Sequence, residues 1–274
     1  ADNGVMADVF IGTNVLAHVA DLMGFLKGVK RILKPDGLAI FEVPWLVDMV
    51  RKGEFDTVYH QHLFYFSLTS LVLLMRSVDL AVVGVEHISI HGGSLRVVVG
   101  HDPMEDGTVS PLLAKEAAMG VSSKGFIAGL ESKARRIRCD LRGLLEEFNS
   151  NGMKVAAYGA AAKATTFLAY CGIGVEELEF VVDLNAFKQG KMMIGSRLPI
   201  VPLEAIEARR PEVLLILAWN FADEIMSQLS SYAEAGGRFV VPVPEVRLIE
   251  PPAASRSPAF ETATLVGNAI GGTK

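Results

Sequence analysis

The sequence predicts an α/β fold, and three observations carry that prediction. Short apolar runs alternate with amphipathic stretches of helical period, and the alternation occurs in two separate blocks of the chain. Half of the 274 residues are apolar, yet no apolar run reaches the roughly 18 residues of a bilayer span. Parallel strands covered on both faces account for that apolar fraction and for a mean hydropathy of +0.35.

The elements follow in order. The chain opens on Ala1, and Val9-Phe10-Ile11-Gly12 already reads as buried strand within residues 8–12. That pattern predicts a start inside a domain, a native short N-terminus being the alternative, with no secretory leader and a cytoplasmic location. Residues 20–33 set Leu22, Phe25, Leu26, Val29 and Leu33 on one helical face. Lys34-Pro35-Asp36-Gly37 predicts a turn, and residues 38–43 a strand stopped by Pro44. Residues 45–53 read as helix, and Ser67 as the N-cap of another. Strands over 80–88 and 94–99 flank Gly92-Gly93, which predicts a hairpin. Residues 112–149 form a long helical stretch broken near Gly120, with Phe126, Leu130, Ile137, Leu141, Leu144 and Phe148 on one stripe.

The second block places strands at 155–158, 180–183, 213–218 and 239–241, with helices at 161–170, 203–209 and 222–235 between them. This is a small parallel α/β unit. After about residue 249 the chain turns to Pro, Ala, Ser, Thr and Gly without periodicity, which predicts a loose tail.

Composition narrows the function classes. Lys plus Arg number 26 against 31 Asp plus Glu, a net charge of −5, which argues against a partner recognised through a phosphate backbone. Two cysteines, Cys139 and Cys171, cannot build a disulfide framework or an internal thiolate zinc site.

The densest polar cluster is Tyr59-His60-Gln61-His62, followed by Phe64-Tyr65-Phe66-Ser67. A neutral imidazole accepts a proton near pH 7 with little tuning. These histidines equally suit plain packing in a loop, and a metal would need a third ligand from His18, His87 or His91. Asn14 and His18 follow the first strand, where open α/β sheets take ligands, although Asn14 also suits a helix cap. Glu42 sits inside the second strand and requires a partner or a place at the strand's end. His91-Gly92-Gly93-Ser94 offers either close backbone approach to a ligand or a simple hairpin.

In the second block, Tyr158 to Thr165 runs from strand into helix through small residues. Lys163 falls in the helix's first turn, where a cation is favoured only beside a bound anion. Asp183, Asn185 and Lys188 suit sugar or phosphate oxygens, or a turn. The chain has neither a Walker ending nor a GxGxxG fingerprint.

These stretches together resemble a known family. Asn14-Val15-Leu16-Ala17-His18 and Leu33-Lys34-Pro35-Asp36-Gly37 are similar to the second half of a class I S-adenosylmethionine methyltransferase domain. Glu54 to Ser67, His91 to Arg96, Tyr158 to Lys163, Asp183-Leu184-Asn185 and Lys188-Gln189-Gly190, in that order, resemble the nucleotide-sugar C-methyltransferases over roughly residues 5–248. The resemblance implies a partial methyltransferase domain over 1–110, a linker helix over 111–150, a Rossmann-like domain over 151–248 and a tail over 249–274. It implies methylation at C3 of a 4-keto-6-deoxy sugar on a nucleoside diphosphate, through an enolate.

By the resemblance His62 is the base, with Tyr59 and His18 assisting at the keto group and Asn14 toward the cofactor. His60, Gln61, His91, Ser94, Lys163, Asp183, Asn185 and Lys188 lie along the substrate. The family's glutamate between the two histidines is Gln61 here, which cannot take a proton. The Gly-rich loop and acidic residue for S-adenosylmethionine, and a cysteine-rich zinc module, are expected upstream of this chain. The chain by itself is therefore expected to bind S-adenosylmethionine weakly, with zinc confined to that upstream module and no metal held here. Self-association through an exposed sheet or the linker helix is a further expectation. The rival readings are a sugar-nucleotide oxidoreductase or epimerase, which would need a dinucleotide loop, and a non-catalytic nucleotide-sugar-binding module.

Overall fold

The computed structural model describes Gly4 and residues 6–251. Two sheets with separate apolar cores share a long helix, giving two Rossmann-like α/β units in tandem. The expected tail lies almost wholly outside the described residues.

The first unit contains β1 (Ala7–Thr13), α1 (Leu22–Ile32), β2 (Leu33–Pro44), α2 (Leu46–Lys52), α3 (Leu68–Arg76), β3 (Ala81–Ile88) and β4 (Ser94–Gly100). Its strand order is β1-β2-β4-β3. β1 runs parallel to β2, and β4 is antiparallel to both β2 and β3. Asp21 caps α1 by accepting from the Gly24 N–H at 2.9 Å, and Leu22, Leu26 and Val29 are buried at helical spacing. In β2, alternate residues Ala39, Phe41 and Val43 are buried, the period-2 signature of a strand with one buried face.

The expected turn at residues 34–37 is corrected: β2 runs through it. Pairing steps from Ala7 with Leu33 to Val9 with Leu38. The extra residues form a bulge in an edge-side pairing that tolerates the missing Pro35 N–H. Ser67 does cap α3, in a reciprocal capping box with Ser70.

The long helical stretch is two helices, α4 (Val109–Ala118) and α5 (Lys124–Ser150), parted at Gly120 with φ +67°. Ala134, Ile137, Leu141, Leu145 and Phe148 are the buried stripe of α5. Gly53 closes α2 in the left-handed region (φ +73°), and a Cβ there would stand 3.0 Å from Lys133 Cβ. Glycine thus lets α2 pack closely on α5.

The second unit contains β5 (Val155–Tyr158), α6 (Ala162–Cys171), β6 (Val181–Val182), β7 (Ile200–Val201), α7 (Ala205–Arg209), β8 (Val213–Ile216), α8 (Ala222–Gln228), α9 (Ser230–Glu234), β9 (Arg238–Val241) and β10 (Arg247–Ile249). The order β10-β9-β8-β5-β6-β7 is parallel except for β10 on β9. Every residue of β5 and β8 is buried, as expected of strands covered on both faces. The helix expected over 222–235 divides at Leu229, which leaves helical geometry (φ −102°, ψ 28°) and is buried. The two-residue strands β6 and β7 and the antiparallel β10 are too short to show a sequence period. Strand order reverses beside β5, so the crevice outside the carboxyl ends of β5 and β8 is the switch point of this sheet.

Candidate active site

The site is built on the irregular segment between α2 and α3. It contains a 3-10 turn at Phe55–Thr57 and then loop, so His60 and His62 are not residues of one strand face. His62 lies half-buried, and its Nδ1 sits 2.8 Å from the Thr57 carbonyl oxygen. A carbonyl only accepts, so the ring proton is on Nδ1 and the lone pair of the neutral ring is at Nε2. Nε2 accepts from the Tyr59 hydroxyl at 3.0 Å. The Tyr59 and His62 rings lie 4.2 Å apart, and those of His62 and His18 4.8 Å apart. His18 ends a 3-10 turn, Leu16–His18, directly after β1. Its Nδ1 donates to the Gln61 carbonyl oxygen at 2.8 Å, and the Leu63 N–H donates to Ala17 O at 2.8 Å. Backbone bonds therefore tie the histidine loop to the end of the first strand.

Burial holds His62 below the ordinary histidine range, and neighbouring His18 adds to the effect, against the Thr57 bond, which acts the other way. The ring is accordingly neutral at pH 7. Burial raises the Tyr59 phenol, with Asp56 adding to it, so it keeps its proton as a donor. A cavity beside His62 is lined by Trp45, Met49, Glu54, Thr57 and Tyr65.

The remaining expected residues fall into three groups. Asn14, in the left-handed region (φ 54°), donates its backbone N–H to Glu42 O at 2.9 Å. It caps no helix, since the turn after it has Val15 at its start and no side-chain cap. His60 and Gln61 are exposed, and Gln61 holds His18 through its main chain. His91 lies in a 3-10 turn joining β3 to β4, in the left-handed region (φ 56°), with its ring 6.5 Å from Phe221. Ser94 is buried and donates to Ile90 O at 2.9 Å.

In the second unit the Asp183 carboxylate accepts from the Ala160 N–H (2.8 Å), the Asn185 N–H (2.9 Å) and Lys188 Nζ (3.0 Å). Lys188 also donates to Ala160 O at 2.9 Å, and Asn185 Oδ1 accepts from Phe187 N–H at 3.0 Å. These three side chains fasten the loop after β5 to the loop after β6. Lys163 occupies the first turn of α6, but its Nζ donates to Asn220 Oδ1 and stands 3.9 Å over the Trp219 ring. Glu42, uncertain from sequence, pairs with Arg96 at 2.7 Å, and Arg96 also reaches Glu86 at 2.9 Å.

Sequence reasoning missed four groups. Glu54 and Asp56 are buried carboxylates at the head of the loop, with one oxygen of each, Oε1 and Oδ1, lacking a hydrogen bond among the described residues. Trp219 Nε1 donates to Asp56 Oδ2 at 2.7 Å. Burial pushes Glu54 up to about 8 and pulls Lys163 down to about 8; it also raises Asp56. The fourth is Glu116 on α4, fully buried, which accepts from Trp45 Nε1 (2.7 Å), the Leu68 and Thr69 N–H groups (2.7 and 2.8 Å) and Thr69 Oγ1 (2.6 Å). A pair of carboxylates around one aromatic residue, Glu54-Phe55-Asp56, was the available signal for the first two. Among the described residues no group of three His, Cys, Asp or Glu side chains is placed to hold a metal, and no helix is long and apolar enough to cross a membrane.

A family model described as "C-methyltransferase C-terminal domain" matches residues 89–244, and one described as "Methyltransferase domain" matches residues 5–85. The chain belongs to the C-methyltransferase family. The junction between the two matches falls in the last residues of β3, within the first sheet. A curated C-methyltransferase, NovU of Streptomyces niveus, is 39% identical over 248 residues, which cover 89% of this chain and 59% of NovU. The chain thus spans about three-fifths of that C-methyltransferase's length. A solved structure, "Crystal structure of TnmH", aligns over 36% of this chain and 31% of its own at 22% identity and a TM-score of 0.29.

Proposed function

We propose that the protein carrying this chain transfers a methyl group from S-adenosylmethionine to C3 of a 4-keto-6-deoxy sugar linked to a nucleoside diphosphate. The observation that carries the reading is the pairing of Tyr59 Oη with His62 Nε2 at 3.0 Å, with His62 Nδ1 held by Thr57 O. Methylating carbon α to a ketone needs a neutral base at the α-hydrogen and a donor at the carbonyl oxygen, side by side. The fixed tautomer supplies the first and the phenol the second.

In this reading His62 Nε2 takes the C3 proton. The C3–H electron pair moves into the C3–C4 bond, and negative charge gathers on the C4 oxygen. Tyr59 turns its O–H from His62 to that oxygen, and His18, 4.8 Å from His62 ring to ring, adds a second polar group on the same side. S-adenosylmethionine, when bound, supplies an electrophilic methyl on a positively charged sulfur, and C3 takes the methyl as the sulfur recovers its electron pair. Asn14 fits one flank of such a group. It is a polar side chain just past the carboxyl end of β1, where open α/β sheets take ligands.

His60, Gln61 and His91 border the sugar, with the buried Ser94 behind them holding the turn through its bond to Ile90 O. The diphosphate lies toward the α6 N-terminus, on the loops pinned by Asp183, Asn185 and Lys188, with Lys163 contributing positive charge. Gln61 serves His18 through a carbonyl that any residue supplies, so the loss of the family's glutamate does not dismantle the histidine pair.

The test is full-length protein with labelled S-adenosylmethionine and a 4-keto-6-deoxy nucleotide sugar. Methyl transfer should occur and fall at least about 10³-fold in His62→Ala. Without methyl donor, deuterium should enter C3 from D₂O in the parent and not in the variant. Transfer undiminished in His62→Ala would overturn the assignment.

A further inference from the structure

The loop that carries the base begins in the other unit's core. Phe55 stacks on Phe167 with ring centroids 5.4 Å apart and meets Tyr170 at 4.6 Å. All three rings pack with the second sheet, whereas Trp45 and Phe66, on either side in sequence, pack with the first. Next to Phe55, Asp56 is 0% exposed, and its one side-chain hydrogen bond among the described residues comes from Trp219 at 2.7 Å. Trp219 follows β8 at the switch point of the second sheet, and Lys163 covers its ring.

A buried carboxylate with one side-chain donor, eased by the Lys163 charge and the nearby Asp56 and Thr57 N–H groups but still dominated by burial, is a costlier way to join two units than apolar contact. What the polar bond adds is direction. Asp56 is the residue before Thr57, whose carbonyl oxygen fixes the tautomer of His62. Thr57 Oγ1 also donates to Glu54 O at 2.7 Å, and Val58 N–H to Phe55 O at 3.0 Å. The anchor therefore sets the orientation of the peptide that orients the base.

We infer that the Asp56–Trp219 bond is a positioning device through which the second unit aims the Nε2 of His62, with Asp56 and Trp219 as positioning residues. The inference rests on His62 being the base. It assigns the second unit a part in proton abstraction as well as in holding substrate.

Trp219→Phe keeps a ring under Lys163 and removes the N–H donor together with the second ring of the buried indole, so the ring signature of His62, not stability, is the deciding readout. Asp56→Asn keeps an acceptor for that donor and serves as the conservative rescue. In ¹⁵N-labelled protein the His62 ring should show a protonated Nδ1 and an unprotonated Nε2 in the parent and in Asp56→Asn, and averaged nitrogen shifts in Trp219→Phe. In full-length protein Trp219→Phe should lower kcat by roughly 10- to 100-fold, with KM for the nucleotide sugar within about threefold. Asp56→Asn should keep most of kcat. If Trp219→Phe keeps both the parental ring signature and kcat, and loses only thermal stability, the bond is structural and the inference fails. The ring spectrum needs no turnover, so it judges the anchor even where the His62→Ala result rejects the catalytic reading.

Discussion

Glu54 shows how a single buried group sets pH dependence. It is 2% exposed, and its pKa stands at about 8 against 4.5 for the unperturbed group. Burial is the leading cause, opposed by the charge of Lys52. The folded protein therefore holds a proton that the unfolded chain releases between pH 4.5 and about 8. Stability from this residue is fully present below 4.5 and drains away as pH rises through that window. Glu54→Gln, which mimics the protonated acid, should gain on the parent as pH rises, by on the order of 2–4 kcal/mol at pH 7. Urea melts at pH 4.5, 6 and 7.5 check this, and a difference that stays constant with pH refutes it. At this scale the sequence was informative about chemistry and poor about partners. That Tyr59, His62 and His18 form one polar cluster was legible because a phenol and two imidazoles fall around a loop and a strand end; their roles came from the resemblance and stand as a proposal. Asp56 and Trp219 were not, because their bond spans 163 residues of sequence and neither residue type announces a partner so remote.

Among the elements, α3 depends on a neighbour for its start. Ser67 and Ser70 cap one another, and Glu116 from α4 takes the N–H groups of Leu68 and Thr69, the next two residues. Glu116→Ala would leave those two donors and Trp45 Nε1 buried without acceptors. The loss should be about 3 kcal/mol or more, measured as a lower urea midpoint with unchanged slope; a change under about 1 kcal/mol would mean that water replaces the carboxylate. The Ser67 cap was readable because its pattern is local. Glu116 looked like an ordinary helix-surface charge, since a single sequence shows the residue and not the helix end it meets. The same division separates α1, whose apolar face repeats within one helix, from the bulge in β2, whose form depends on its pairing with β1.

On the scale of the whole molecule, the strand–helix alternation correctly gave two α/β units, because buried periods persist over many residues. What it left open was how the units meet. One sheet edge bears on assembly: among the described residues β1 pairs with β2 alone, and Val9 and Ile11 are 54% and 67% exposed. An apolar edge of this kind invites pairing with another chain. This chain by itself should therefore self-associate, and Ile11→Lys should shift it toward monomer in sedimentation velocity. Identical distributions for parent and variant would place any self-association elsewhere, α5 being the next surface to examine.

The seating of Phe55 among Phe167 and Tyr170 has a consequence for ancestry and for protein engineering. Exchanging carboxyl-terminal units between relatives would ordinarily be cut within a long helix such as α5. Here such a cut would give the recipient a new bed for the ring at the root of its own histidine loop. A working hybrid should need residues 53–62 to travel with the incoming sheet, or Phe167, Tyr170 and Trp219 to be kept in it. Under the proposed function, inheritance of substrate preference and inheritance of proton abstraction would be tied together, even though they are assigned to different sheets.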